Sequence, residues 1–146
     1  MALSLHQVSD RIEINDLLIR YTRAIDQKDW ELLDTVFTPD ADIDYVATGG
    51  IKGRYPEVRA WLAKVLALFP VTVHYVTNSE VTLQGDRAVA RTAVYNPMFL
   101  GSSDGSRHSF VVGAYYVDEL VRTEAGWRIA KRREEKAFIE GSPNGG

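Results

Sequence analysis

The apolar positions change period once along the chain, dividing it into a helical front half and a sheet-forming back half. Ile14, Leu17, Leu18, Tyr21 and Ile25 recur at the i, i+3, i+4, i+7 spacing that lays one apolar stripe on a helix. Ser9 fits the N-cap of this helix, and Asp10 and Glu13 sit in its first turn, where carboxylates meet the positive end of the helix dipole. A short second helix is predicted from Asp29 or Trp30 to Phe37, with Asp29 as its N-cap. Thr38-Pro39 ends it, because the residue before a proline is driven out of the α region. Residues 41–47 alternate apolar and polar and predict a strand, and Gly49, Gly50 and Gly53 mark a turn. Val58, Trp61, Leu62, Val65, Leu66 and Phe69 return to the helical period, which Pro70 closes.

From Val71 onward the period is two. Residues 71–83, 87–100, 107–121 and 127–139 predict four long strands, and the short links between them carry the turn residues of hairpins. Helices followed by antiparallel strands define an α+β layer fold, with a strongly twisted antiparallel sheet wrapped over the N-terminal helices. Such a sheet leaves a concave, mostly apolar cavity at its open end, the usual seat of a small ligand. The 146 residues suit one domain, here 1–140, followed by a disordered Gly- and Ser-containing tail at 141–146.

Composition narrows the function classes. Apolar residues make up 45% and charged residues 25%, the values of an ordinary globular protein. With no cysteine, disulfides, zinc–thiolate sites and cysteine nucleophiles are all excluded. A net charge of −3 lacks the basic footprint of nucleic-acid binding. The N-terminus has no secretion-signal pattern and no apolar run is long enough to span a membrane, so a soluble, cytoplasmic protein is expected. Neither glycine-rich phosphate cradle is present, nor a Gly-x-Ser-x-Gly elbow. His6, His74 and His108 are widely spaced, so no metal site and no cofactor are expected.

His74 lies mid-strand among valines and threonines, where Thr72, His74, Val76 and Asn78 share one face. A buried imidazole needs a partner, either a backbone carbonyl in a purely structural role or a carboxylate. Asp26 is the candidate carboxylate. It stands at the end of the first helix, where the dipole disfavours negative charge. It is either a solvated helix-end or loop-capping charge, or the partner of His74. Tyr21 and Tyr45 point inward and serve as structural anchors or as pocket donors. The run 131–136 reads as a solvated strand of mixed charge, although alternation turns one of Arg132 and Arg133 toward the concave side.

The block from Leu18 to Trp30, then Phe37-Thr38-Pro39-Asp40-Ala41, Val73-His74-Tyr75-Val76-Thr77-Asn78, Gly113-Ala114-Tyr115-Tyr116 and Gly126-Trp127-Arg128-Ile129 together resemble SnoaL-like proteins of the nuclear-transport-factor-like superfamily. Within that group the chain looks most like the branch of scytalone dehydratase, hexachlorocyclohexane dehydrochlorinase and bile-acid 7α-dehydratase. The resemblance implies a cone-shaped barrel of cystatin-like type and a catalytic Asp26–His74 pair. It also implies that Tyr45, Tyr21, Arg132, Asn96 and Tyr116 bind substrate. Ile25 stands where scytalone dehydratase has a tyrosine, the region of Asn96 replaces its second histidine, and Ala114 and Tyr116 replace a serine and an asparagine. Scytalone is therefore not the expected substrate. The implied activity is a cofactor-independent, dehydratase-type elimination on a small hydrophobic cyclic molecule. An isomerase or polyketide cyclase using the same base, and a non-catalytic binding or assembly module, are the alternatives. Relatives pack sheet faces together, so a homo-oligomer, trimer or dimer, is expected.

Overall fold

The computed structural model describes residues 2–101 and 104–142. Ser102 and Ser103 of the expected link between the strands 87–100 and 107–121, and 143–146 of the expected tail, lie outside the described residues. Three helices and seven strands follow in the order α1 (Leu5–Gln27), α2 (Trp30–Leu33), β1 (Phe37–Asp44), β2 (Lys52–Arg54), α3 (Tyr55–Leu66), β3 (Val71–Thr72), β4 (Tyr75–Gln84), β5 (Arg87–Gly101), β6 (Arg107–Thr123) and β7 (Gly126–Gly141). One sheet runs β2-β1-β7-β6-β5-β3, and β4 also pairs with β5. It curls around α1 and α3 as a half-barrel, giving the expected α+β fold.

Helix α1 begins earlier than its apolar stripe. Ser4, not Ser9, is the N-cap, and it exchanges side-chain hydrogen bonds with Gln7 in a capping box. The first turns carry exposed residues such as Leu5 and Ile12, so no buried stripe announces them. Asp10 is not a dipole-stabilising surface charge either. It is buried, receives both terminal nitrogens of Arg122 at 2.8 and 2.9 Å, and accepts a hydrogen bond from Trp127 Nε1. It ties α1 to the β6–β7 hairpin.

Asp29 caps α2 as expected, its side chain accepting from the Leu32 amide. The helix then stops at Leu33 instead of Phe37. The reason is tertiary: Val36 and Phe37 are recruited by β7, with the Ile129 amide bonding the Val36 carbonyl. Strand β1 thus starts at Phe37 and runs through Pro39, where its register with β7 shifts. It pairs with β7 in parallel, so the sheet is mixed and not wholly antiparallel. The expected strand over 41–47 is correspondingly shifted, and residues Val46–Thr48 form a 3₁₀ turn. Helix α3 opens with Pro56 in its first turn and ends at Leu66, and Phe69 joins the core from beyond its end.

The hairpins β4–β5, β5–β6 and β6–β7 are antiparallel, as their turn residues predict. The strand expected over 71–83 is broken in two. β3 and β4 both pair with β5, and the ladder is interrupted at Val73 and His74. Strand β7 continues to Gly141, paired with Phe110, one residue into the expected tail. The core joins the inner stripe of α1, including Ile14, Leu17, Leu18 and Ile25, to Val58 and Leu62 of α3 and to Leu120, Trp127 and Ile129 of the sheet. Fully burying each such side chain contributes roughly 1.5–3 kcal/mol.

Candidate active site

A cavity of about 220 Å³ opens between α1, α3 and the concave face of the sheet. Its walls are mostly apolar: Ile25 from α1, Trp61, Leu62, Val65 and Leu66 from α3, and Val94, Met98, Phe110 and Val112 from β5 and β6. Tyr21, Tyr45, Thr48, His74, Asn96, Tyr116 and Glu134 add polar groups to this lining. Gly49 and Gly50 complete the rim, and Gly50 has no room for a side chain, since a Cβ there would meet Tyr45 and the Trp61 ring inside 3.0 Å.

The break in the sheet places His74. At residues 73–74 the chain leaves the β4 ladder, which frees the His74 amide, and Asp26 captures it. Asp26 Oδ2 accepts from the His74 backbone N–H at 2.9 Å, and Oδ1 lies 2.6 Å from Nδ1 of the same residue. The Thr72 hydroxyl donates to Oδ1 at 3.0 Å. Lys28 makes this possible by ending α1 in the left-handed conformation, φ 55°, with its amide on the Ala24 and Ile25 carbonyls and its Nζ on the Phe69 carbonyl. Burial pushes the Asp26 carboxyl up, but the hydrogen bonds and charge of His74, with the Thr72 bond, outweigh it and hold the carboxyl below its ordinary value. The imidazole is thereby clamped through Nδ1. Its Nε2 bonds no group among the described residues, and the ring lines the cavity. Asn78, expected to share this face, is exposed, because the β4 register shifts between Val76 and Ser79.

Tyr21 and Tyr45 share a buried hydroxyl–hydroxyl bond of 2.9 Å. The Tyr21 ring meets His74 edge-on at 6.4 Å and Tyr116 at 5.5 Å between centroids. Burial raises the pKa of all three tyrosines well above the ordinary phenol value, so they are neutral donors. Asn96 is buried on β5, and its Oδ1 finds no partner among the described residues. Buried acceptors are normally paired, so this oxygen is an exception in the cavity wall.

Arg132 is not a pocket arginine. It does not line the cavity but lies behind the wall, fully buried, in a bidentate pair with Asp118 at 2.7 and 2.9 Å. The rings of Tyr116 and Tyr21 lie 3.8 and 4.2 Å from its guanidinium carbon. Burial works against its charge, yet the charge and hydrogen bonds of Asp118 keep its pKa well above the usual arginine value. Of the seven expected site residues, five therefore line the cavity, Asp26 acts from behind His74, and Arg132 braces Tyr21 and Tyr116.

Glu134 is the residue that sequence reasoning missed. It was submerged in the mixed-charge run, but it lies two residues from Arg132 on β7 and so falls on the same side of the strand, where it lines the cavity. The Thr48 hydroxyl donates to its Oε2. Burial raises its pKa to about 7, against the Thr48 bond and the Arg132 charge, with the Asp44 charge adding to the rise. Parity with Arg132 was the available signal. Among the described residues no cluster of three or more His, Cys, Asp or Glu side chains could hold a metal ion, and no helix is long and apolar enough to cross a membrane.

The curled mixed sheet over helices, with its walled cavity, defines a SnoaL-like α+β protein. Residues 6–133 match the model of the SnoaL-like domain, and the chain belongs to that family. It is 48% identical over 137 residues to the uncharacterized protein Rv2910c of Mycobacterium tuberculosis, covering 93% of this chain and 91% of that one. Among solved structures it is similar to the Kfla4162 protein from Kribbella flavida, with a TM-score of 0.82 and 29% identity over 90% of this chain and 93% of the other. It is also similar to a hexachlorocyclohexane dehydrochlorinase of type 2, with a TM-score of 0.81 and 21% identity over 94% and 92%. At that identity the likeness to the dehydrochlorinase is one of fold.

Proposed function

We propose that the protein is a cofactor-independent lyase that eliminates water or a similar leaving group from a small hydrophobic cyclic molecule, with His74 as the base. The observation that carries this reading is the Asp26 clamp. A carboxylate 2.6 Å from Nδ1 fixes which imidazole nitrogen holds the proton and leaves Nε2 free toward the cavity. The same carboxylate stabilises the imidazolium that forms when Nε2 takes a proton from carbon. The Tyr21–Tyr45 hydroxyl pair supplies a neutral donor for oxyanion charge developing on a substrate carbonyl. Asn96, which lines the cavity with an unpaired side-chain oxygen, would accept from a substrate hydroxyl once a ligand or a small side-chain shift exposes that oxygen. Likeness in fold to the dehydrochlorinase agrees with this class of chemistry.

The cavity volume of about 220 Å³ suits one or two rings, since a void of about 150 Å³ already takes a benzene. A homo-oligomer fits the exposed Tyr75, Tyr95 and Phe138, which leave the outer side of the sheet partly apolar. The test is turnover of β-hydroxy ketones by wild type, His74→Ala and Asp26→Asn. A positioned base contributes about 10²- to 10⁴-fold, so His74→Ala should lose that factor and Asp26→Asn a large part of it. Activity surviving both changes unaltered removes the base. Product analysis separates elimination from isomerisation or ring closure.

A further inference from the structure

We propose that Glu134 is the general acid of this site and that it protonates an oxygen leaving group on the side of the cavity opposite His74. The assignment rests on the elimination reading above and specifies its substrate as a β-hydroxy ketone or a close analogue. Three features of position support it.

First, the two groups come from strands set apart in the sheet. His74 sits where β3 meets β4, on the outer edge of β5, whereas Glu134 belongs to β7, with β6 between them. Both line the same cavity, so a ring held in it can meet the imidazole and the carboxyl together. Second, Glu134 is held by one donor only. The Thr48 hydroxyl donates to Oε2, which leaves Oε1 as the oxygen able to carry a proton, and Oε1 bonds no group among the described residues. Third, the carbonyl-binding hydroxyls link the two ends. The Tyr21 ring meets His74, Tyr21 bonds Tyr45, and the turn that begins after Tyr45 delivers Thr48 to Glu134. Burial and the nearby Asp44 charge favour the protonated carboxyl near neutrality, as the role requires. Two carboxyls of opposite character, one ionised behind the base and one protonated in the cavity wall, divide the base and acid roles.

The step balances. His74 Nε2 takes the proton from the carbon α to the carbonyl, and that C–H electron pair becomes the new C=C bond. The β C–O bond breaks, its electron pair takes the proton from Glu134 Oε1, and the group leaves as water. The imidazolium and carboxylate left behind are reset when one proton passes from His74 to Glu134 through solvent as the product departs.

The experiment compares 3-hydroxyindan-1-one with 3-acetoxyindan-1-one, which lose the same α proton but differ in the need to protonate the leaving group. Glu134→Gln keeps an acceptor for Thr48 and has no acid proton. It should lower turnover of the hydroxy ketone by about 10²-fold or more while holding acetate elimination within about threefold of wild type. Acetate elimination thus doubles as the control for folding. Glu134→Asp retains an acid and should keep more hydroxy-ketone turnover than Glu134→Gln. His74→Ala should lower both reactions together. Equal loss of the two reactions in Glu134→Gln, no loss of either, or equal losses in Glu134→Gln and Glu134→Asp would overturn the acid assignment while leaving the base intact. Undiminished acetate elimination in His74→Ala overturns the base reading instead, and a wild-type protein inert to both ketones overturns both.

Discussion

Two acid–base pairs of this molecule, one sealed and one half-buried, differ in what they face. Asp118 and Arg132 are both fully inaccessible, joined by two short hydrogen bonds and covered by the Tyr21 and Tyr116 rings. Asp26 and His74 are joined as closely, but the imidazole opens onto the cavity and keeps one nitrogen without a protein partner. The sealed pair has almost nowhere to send a proton. The open pair has a clamped side and a side turned to the cavity. Burial of charge is thus not by itself a sign of chemistry, and what separates the two pairs is access to the cavity.

The largest stability effect should come from opening the sealed pair. Asp118→Ala leaves Arg132 buried without its counter-charge, and breaking such a pair costs about 3–5 kcal/mol. Urea denaturation should show this loss, whereas Asp26→Asn, at a half-buried site, should lose much less stability than activity. Equal stability losses at the two sites would erase the distinction between them.

A smaller effect separates the two carboxyls of the site by sign. Asp26 has a folded pKa below its unfolded value, so the stability it contributes is present above about pH 4 and is lost as pH falls through the lowered folded value. Glu134 is shifted the other way. Between its ordinary value and about 7 the folded state holds a proton that the unfolded state has released, so stability falls as pH rises through that window. Glu134→Gln should therefore be more stable relative to wild type at pH 7.5 than at pH 4.5, by an amount of order a few kcal/mol. Melting temperatures of both proteins across this range check the sign.

The smallest effect belongs to the hydroxyl pair. Tyr45→Phe deletes one buried hydrogen bond and should cost about 1 kcal/mol in stability, measured by the same denaturation. A turnover loss of about tenfold or more would mark the pair as acting on substrate, and a loss confined to stability would mark it as a brace.

Much of the scaffold was legible because it depends on local periodicity. The stripe from Ile14 to Ile25, the Asp29 cap and the three hairpins are each set by residues a few positions apart. The same holds for the polar candidates. Asp26 was conspicuous as a charge at the wrong end of a helix dipole, and His74 as an imidazole between valine and tyrosine in a strand. The early helix start at Ser4 was hidden because the first turns of α1 bury few apolar residues.

The remaining features required distant parts of the chain to meet. Parallel pairing of β1 with β7 recruits Val36 and Phe37 out of a helical pattern, and no local signal can announce a partner about ninety positions away. The same pairing brings the turn after β1, and with it Thr48, to Glu134. Alternation alone turned Arg132 and Glu134 to one side of β7, but only packing decided that Asp118 and two tyrosine rings would close over the arginine while the glutamate stayed in the cavity. Residue type and spacing determined which groups could take part in chemistry. The folded chain, by what it placed around each charge, decided which of them reach the cavity and which are sealed away, because a charge can be buried only where a partner offsets its desolvation.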